Sequence, residues 1–133
     1  MPHPLETDRQ VYQGIGRPKV VATAISLALD RTHAGKVVKT TTSNLTVTLP
    51  LASTDVGDDG RELKYTVVVG VAATTGGGVT LAVTGANKVN GGTSGKGLEN
   101  SGSTDALGDS VTVVSDGADW WTMGKVGTWD AEA

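Results

Sequence analysis

The 133-residue chain has no cysteine and no phenylalanine, only two tyrosines, three tryptophans and two histidines, and four prolines. The lack of cysteine excludes a disulfide framework, a thiolate metal site and a cysteine nucleophile together. With aromatics at 4% of residues, any core has to be filled by aliphatic side chains and a few tryptophans. Charge is sparse at 19%, and 38% of residues are hydrophobic, which is not the balance of a highly charged disordered tail. What the chain has in quantity is glycine, at 19 positions, alongside frequent threonine and valine. Its length sets one domain, able to bury about two-thirds of its surface on folding. Composition therefore predicts a soluble, β-rich protein that is not an enzyme.

The formal net charge of −3 is unevenly distributed. Up to Thr42, six basic residues (Arg9, Arg17, Lys19, Arg31, Lys36, Lys39) face three acidic ones; beyond it, five basic residues face eleven acidic ones. A basic leading segment on an acidic body suits docking against an acidic surface. No basic stripe interleaves with aromatics, so nucleic acid is not an expected partner. The apolar run from Val20 to Leu29 lies too far from Met1 for a signal peptide. Its Ala-Thr-Ala sits inside the run, and it is half a membrane span long. It reads as a strand of a protein made in the cytoplasm, with no membrane partner.

Residues 1–18 hold Pro2, Pro4, Gly14, Gly16 and Pro18 and show neither helical nor strand period. They read as an extended arm whose Leu5, Val11, Tyr12 and Ile15 pack on something. From residue 19 onward the chain reads as one β-domain. Odd positions from Val21 to Leu29 are mostly apolar, a turn spans Asp30 to Gly35, and Lys36 to Thr42 is the next strand. Leu45, Val47 and Leu49 alternate with Thr46 and Thr48 up to Pro50. The β-branched stretch from Leu63 to Val71 predicts a central strand buried on both faces. Val79 to Val83 follows, then a glycine-rich loop over about 85–104, then Ser110 to Ser115, a turn at Asp116-Gly117, and a last strand through Trp120, Trp121 and Met123. About eight short antiparallel strands at turn spacings predict a small all-β sandwich or barrel with almost no helix.

Motifs that carry chemistry fail on spacing. The run from Gly91 to Gly97 lacks the first glycine and the final hydroxyl of a phosphate loop, since Asn90 and Gly97 stand there. Gly14-Ile15-Gly16 lacks the third glycine of a dinucleotide fingerprint. The acidic loop from Asp55 to Glu62 has Gly57 and Thr66 where an EF-hand needs ligands. His3 and His33 accompany no nucleophile elbow. No catalytic, cofactor-binding or metal-binding residue is assigned. Trp120 and Trp121, adjacent on a strand, must point to opposite faces. The outward one, supported by Trp129, reads as a contact with a partner or sister subunit.

Four stretches together resemble a known module: Asp30-Arg31-Thr32-His33-Ala34-Gly35-Lys36-Val37, Val47-Thr48-Leu49-Pro50-Leu51-Ala52, Tyr65-Thr66-Val67-Val68, and Asp109 to Trp120 with its Ser115-Asp116-Gly117-Ala118-Asp119-Trp120 close. They are similar, in order, to the D-x-G-K turn, V-T-L-P-x-A strand end, Y-x-V-x-N strand and V-x-L-x-S-D-G-x-x-W close of a module in tailed-bacteriophage structural proteins. The resemblance covers about two-thirds of the chain; it departs at Gly70, often Asn in the module, and in the glycine-rich insertion. A free-standing module behind a short arm looks like a head decoration, or cement, protein. The resemblance then implies a homotrimer on the outer capsid surface of the virion, binding the major capsid protein. Leu5, Arg9, Val11, Tyr12, Ile15, Arg17, Lys19, Trp121 and Trp129 are the expected contact residues. A tail fibre, spike or neck appendage subunit, and a carbohydrate-binding module, are the alternatives.

Overall fold

The computed structural model describes residues 19–54, 63–71, 78–100 and 107–133. Strands form where branched or apolar residues alternate with small polar ones: β1 Val20–Thr23, β2 Leu27–Ala28, β3 Val37–Thr40, β4 Thr46–Thr48, β5 Lys64–Val69, β6 Thr80–Ala82, β7 Leu98–Asn100, β8 Ser110–Ser115, β9 Trp120–Val126 and β10 Trp129–Ala131. They make two five-stranded sheets, ordered β1-β3-β5-β8-β9 and β2-β4-β6-β7-β10. The expected all-β sandwich is therefore what forms, with one 3₁₀ turn at Arg31–His33 as the only helical element among the described residues.

The strands number ten, and half of their pairings are parallel. From β1 to β6 the chain crosses to the other sheet after every strand, so β1, β3 and β5 stack in parallel, as do β2, β4 and β6. Three coils are wound one on the next. The direction then reverses: β7 and β8 run antiparallel to β6 and β5, and β9 and β10 close the stack antiparallel to β8 and β7. Period two reports which residues face inward but carries no record of which strand lies alongside, so an antiparallel expectation was the default that the winding overrides.

The same winding splits the first predicted strand. Val20 to Leu29 is β1 and β2, in different sheets, with the chain turning a corner at 24–26. Hydroxyls make that corner: Thr23 Oγ1 donates to the Ile25 carbonyl at 2.7 Å, Thr42 Oγ1 donates to the Ala24 carbonyl at 3.0 Å, and Ser26 Oγ accepts from Thr46 N at 3.0 Å. β5 is central as expected, but only Leu63, Tyr65, Val67 and Val69 are buried. Its alternate residues face outward because the sandwich has two layers and, among the described residues, no third layer lies outside the sheet. The glycine-rich stretch contains β7 and a parallel bridge of Val89 to Trp120.

The core lies between the inner faces. Val38, Tyr65, Val67, Val69, Val111, Val113 and Trp120 of the first sheet meet Val47, Leu81, Leu98 and Trp129 of the second. Burying each Val or Leu contributes roughly 1.5–3 kcal/mol. Tyr65 sits edge-on to Trp120, with ring centroids 5.7 Å apart, and its hydroxyl donates to the Asp30 carbonyl at 2.9 Å. Desolvation pushes that hydroxyl's pKa up to about 12, so it stays a donor. Gly70, the departure from the resembled module, has a local cause: a Cβ there would lie 2.2 Å from the Thr40 carbonyl oxygen.

Candidate interaction surface

The outer face of the first sheet can be built from its register. One row runs Val20, Val37, Thr66, Thr112, Gly124; the next runs Ala22, Lys39, Val68, Ser110, Val126; a third holds Lys64, Val114 and Trp121. The strands of this face thus present mainly branched aliphatic and hydroxyl side chains with two lysines and no acid. Thr66 and Thr112 join their hydroxyls across it at 2.9 Å. The second sheet differs: its outer residues are Ala28, Thr46, Thr48, Thr80 and Ala82 with Glu99 and Asp130. One face is basic where the other is acidic.

Trp121 is the largest side chain on the basic face, 42% exposed, while its neighbour Trp120 is fully buried, as strand alternation requires. The turn before β9 fixes the outward ring. Gly117, at φ +94°, lets the chain reverse. The Asp116 carboxylate then accepts from Ala118 N at 2.9 Å, Asp119 N at 2.8 Å and the Trp121 indole N–H at 2.7 Å. The Asp119 and Ala118 amides, then the indole, hold that carboxyl below its ordinary range. A tryptophan anchored by a charge-assisted bond is pre-organised, with little rotamer freedom left to lose on contact.

Of the expected contact residues, Leu5, Arg9, Val11, Tyr12, Ile15 and Arg17 lie outside the described residues. Lys19 is exposed, immediately before β1. Trp129 does not join Trp121 on the outside: it is only 4% exposed, faces the core from β10 and donates its indole N–H to the Val126 carbonyl at 3.1 Å. An unseen strand, β10, sets that direction, so spacing from Trp121 could not. Val20, Val114, Val126 and Lys64 belong to the face and were not singled out in the sequence; period two marks them as outward, but only the register gathers them.

The rejected motifs have structural roles. Gly97 N donates to Glu132 Oε1 at 3.0 Å, and a Cβ on Gly97 would lie 1.8 Å from the Leu81 carbonyl oxygen, which explains glycine where a phosphate loop has a hydroxyl. His33 Nδ1 accepts from Asp30 N at 3.1 Å and so caps the 3₁₀ turn. The acidic loop at 55–62 and His3 lie outside the described residues. Among the described residues, no three His, Cys, Asp or Glu gather as metal ligands do. No protein-family model matches the sequence, and no curated protein matches it.

Proposed function

We propose that the chain is a tailed-bacteriophage virion protein that decorates the head, binding the outer surface of the assembled capsid and tying neighbouring major capsid subunits together. The observation that carries this reading is the outer face of the first sheet: extended, apolar and hydroxylic, its strands bearing Lys39 and Lys64 and no acid, with Trp121 held ready at its margin by Asp116. The Asp116-Gly117 turn that holds Trp121 is part of the motif on which the resemblance rests. Such a face suits a stationary contact with an acidic surface: aliphatic area supplies affinity, and two lysines supply sign. Stabilisation follows from bridging, since removing one capsid subunit then also breaks its contacts with the decorating protein.

Gold-labelled antibody against the chain on intact virions tests this directly. Label distributed over the head is expected; label confined to the tail or neck overturns the decoration reading in favour of a fibre or appendage. Binding of purified protein to heads stripped of it should be lost with Trp121→Ala and Val114→Asp, both outward substitutions that leave the core intact. Glycan binding abolished by Trp121→Ala, without head binding, would replace the reading with carbohydrate recognition.

A further inference from the structure

We propose that two copies of the chain join edge to edge through the first coil, formed by β1, the corner at 24–26 and β2. This inference does not depend on the decoration reading. β1 and β2 are the terminal strands of their two sheets, and because the corner connects them they lie at the same end of the stack. The carbonyls of Lys19 and Thr23 face β3, accepting from Val37 N at 2.9 Å and Thr41 N at 2.8 Å. By alternation, the backbone N–H and C=O groups of Val20 and Ala22 face the open edge. Leu29 N donates to the Thr48 carbonyl at 2.8 Å, which leaves Ala28 facing outward from β2. Among the described residues, both sheets therefore end in unpaired main chain, side by side.

The two ends of the stack are treated differently. At the far end β9 carries a bulge, with Met123 as the extra residue between the Thr112–Gly124 and Val113–Thr122 pairs. Residues 88–90 also cover its start: Trp120 N donates to the Lys88 carbonyl, and Asn90 N to the Trp120 carbonyl, both at 2.9 Å. Lys125, Asp130 and Glu132 place charge on that end. Bulges, covering segments and charges are how proteins keep sheet edges from pairing. Among the described residues, the first coil has none of them. From Val20 to Leu29 there is no charged residue, Val20 is 56% exposed and Ile25 is 70% exposed, and the corner is held by the hydroxyl bonds of Thr23, Thr42 and Ser26.

The charges at its borders point to a second copy as the occupant. Lys19 and Asp30, of opposite sign, bracket the uncharged segment. A two-fold axis through the 24–25 corner lays β1 of one copy antiparallel to β2 of the other and sets Lys19 of each beside Asp30 of the other. Two-fold contacts place a patch against itself, and an uncharged centre with complementary borders tolerates that. The two Ile25 side chains then cover one another at the axis, and the sheets run on from copy to copy.

Sedimentation of the full chain over a wide dilution series, with amide exchange at both ends of the series, tests the proposal. A dimer is expected, with Val20, Ala22 and Ala28 amides protected only at high concentration. Ile25→Lys, on an exposed side chain, should weaken association roughly tenfold or more while leaving the melting temperature of the monomer unchanged. Lys19→Asp should weaken it less, and Ile25→Val should preserve it. A monomer at every concentration overturns the proposal, as does a trimer or a dimer indifferent to Ile25→Lys. Protection of Val20 and Ala22 that does not vary with concentration overturns it too, because cover by the chain's own residues 1–18 would act that way. None of these measurements involves a capsid, so their failure is separate from failure of the decoration reading.

Discussion

The wound part of the chain, from Val20 to Ala82, and the reversed part, from Leu98 to Ala131, fill one core by different means. The wound part is aliphatic: Leu29, Val38, Val47, Leu49, Val67, Val69 and Leu81 each add a modest increment, with Tyr65 as its only aromatic. The reversed part has fewer buried residues and two of them, Trp120 and Trp129, are tryptophans. Polar ties differ as well. Threonine and serine hydroxyls hold the 24–26 corner of the wound part, whereas the reversed part uses Asp116 and Asn100, and Asn90 from the loop before it bonds Thr122. Asn100 Nδ2 donates to Asp109 Oδ2 at 2.9 Å and to the Thr128 carbonyl at 3.1 Å, linking the start of β8 to the turn before β10. A core without phenylalanine is thus made either of many equal parts or of a few large ones, and the two should fail differently.

The largest effect is expected at Trp120. Trp120→Ala should cost about 3–5 kcal/mol, because no neighbouring aliphatic can refill the volume. Val47→Ala, in the wound part, should cost nearer ~2 kcal/mol. Chemical denaturation of both variants measures the contrast; equal losses would dissolve it. Tyr65→Phe keeps the ring on Trp120 and removes one hydrogen bond, so about 1 kcal/mol is expected from the same measurement. The smallest effect concerns Asp116. Its carboxyl is held below the ordinary value, so the stabilisation it gives is complete above about pH 4 and is lost as pH falls through the folded-state value. Tryptophan fluorescence should report release of the Trp121 ring over that acid range, and Asp116→Asn should remove this step while leaving the buried Trp120 signal in place.

Much of the layering was legible in the sequence. The alternation of Leu45, Val47 and Leu49 with threonines, and the Trp120-Trp121 pair, gave the correct inward sides because side-chain direction depends only on local period. Pairing partners depend on distant chain: nothing near Val20–Thr23 specifies that β3 rather than β2 lies beside it. For that reason the corner at 24–26 was invisible, and Ile25, third in an apparently regular odd-numbered series, proved to be exposed at a bend. Two three-residue strands, β7 and β10, escaped for another reason. Leu98–Asn100 and Trp129–Ala131 are too short to display a period, and glycines around the first masked it. The basic face was legible residue by residue and not as a surface, since assembling Val20, Val114, Trp121 and Val126 requires the register of five strands.

Winding also gives the molecule a direction in time. Val38 of β3 waits for Val67 of β5, and Thr66 of β5 then waits for Thr112 of β8, so each layer is completed by chain that emerges well after it. Synthesis delivers the coils in order, so the newest coil has no later strand to pair with until the next is translated. The last of these waits is the longest, because β5 has no neighbour on its second side until β8 has left the ribosome. Contacts of such long reach fold slowly, on the order of milliseconds to seconds. A nascent chain stalled just after Ala82 would expose the β5 and β6 edges together, which makes that point in translation the one at which a chaperone has most to protect.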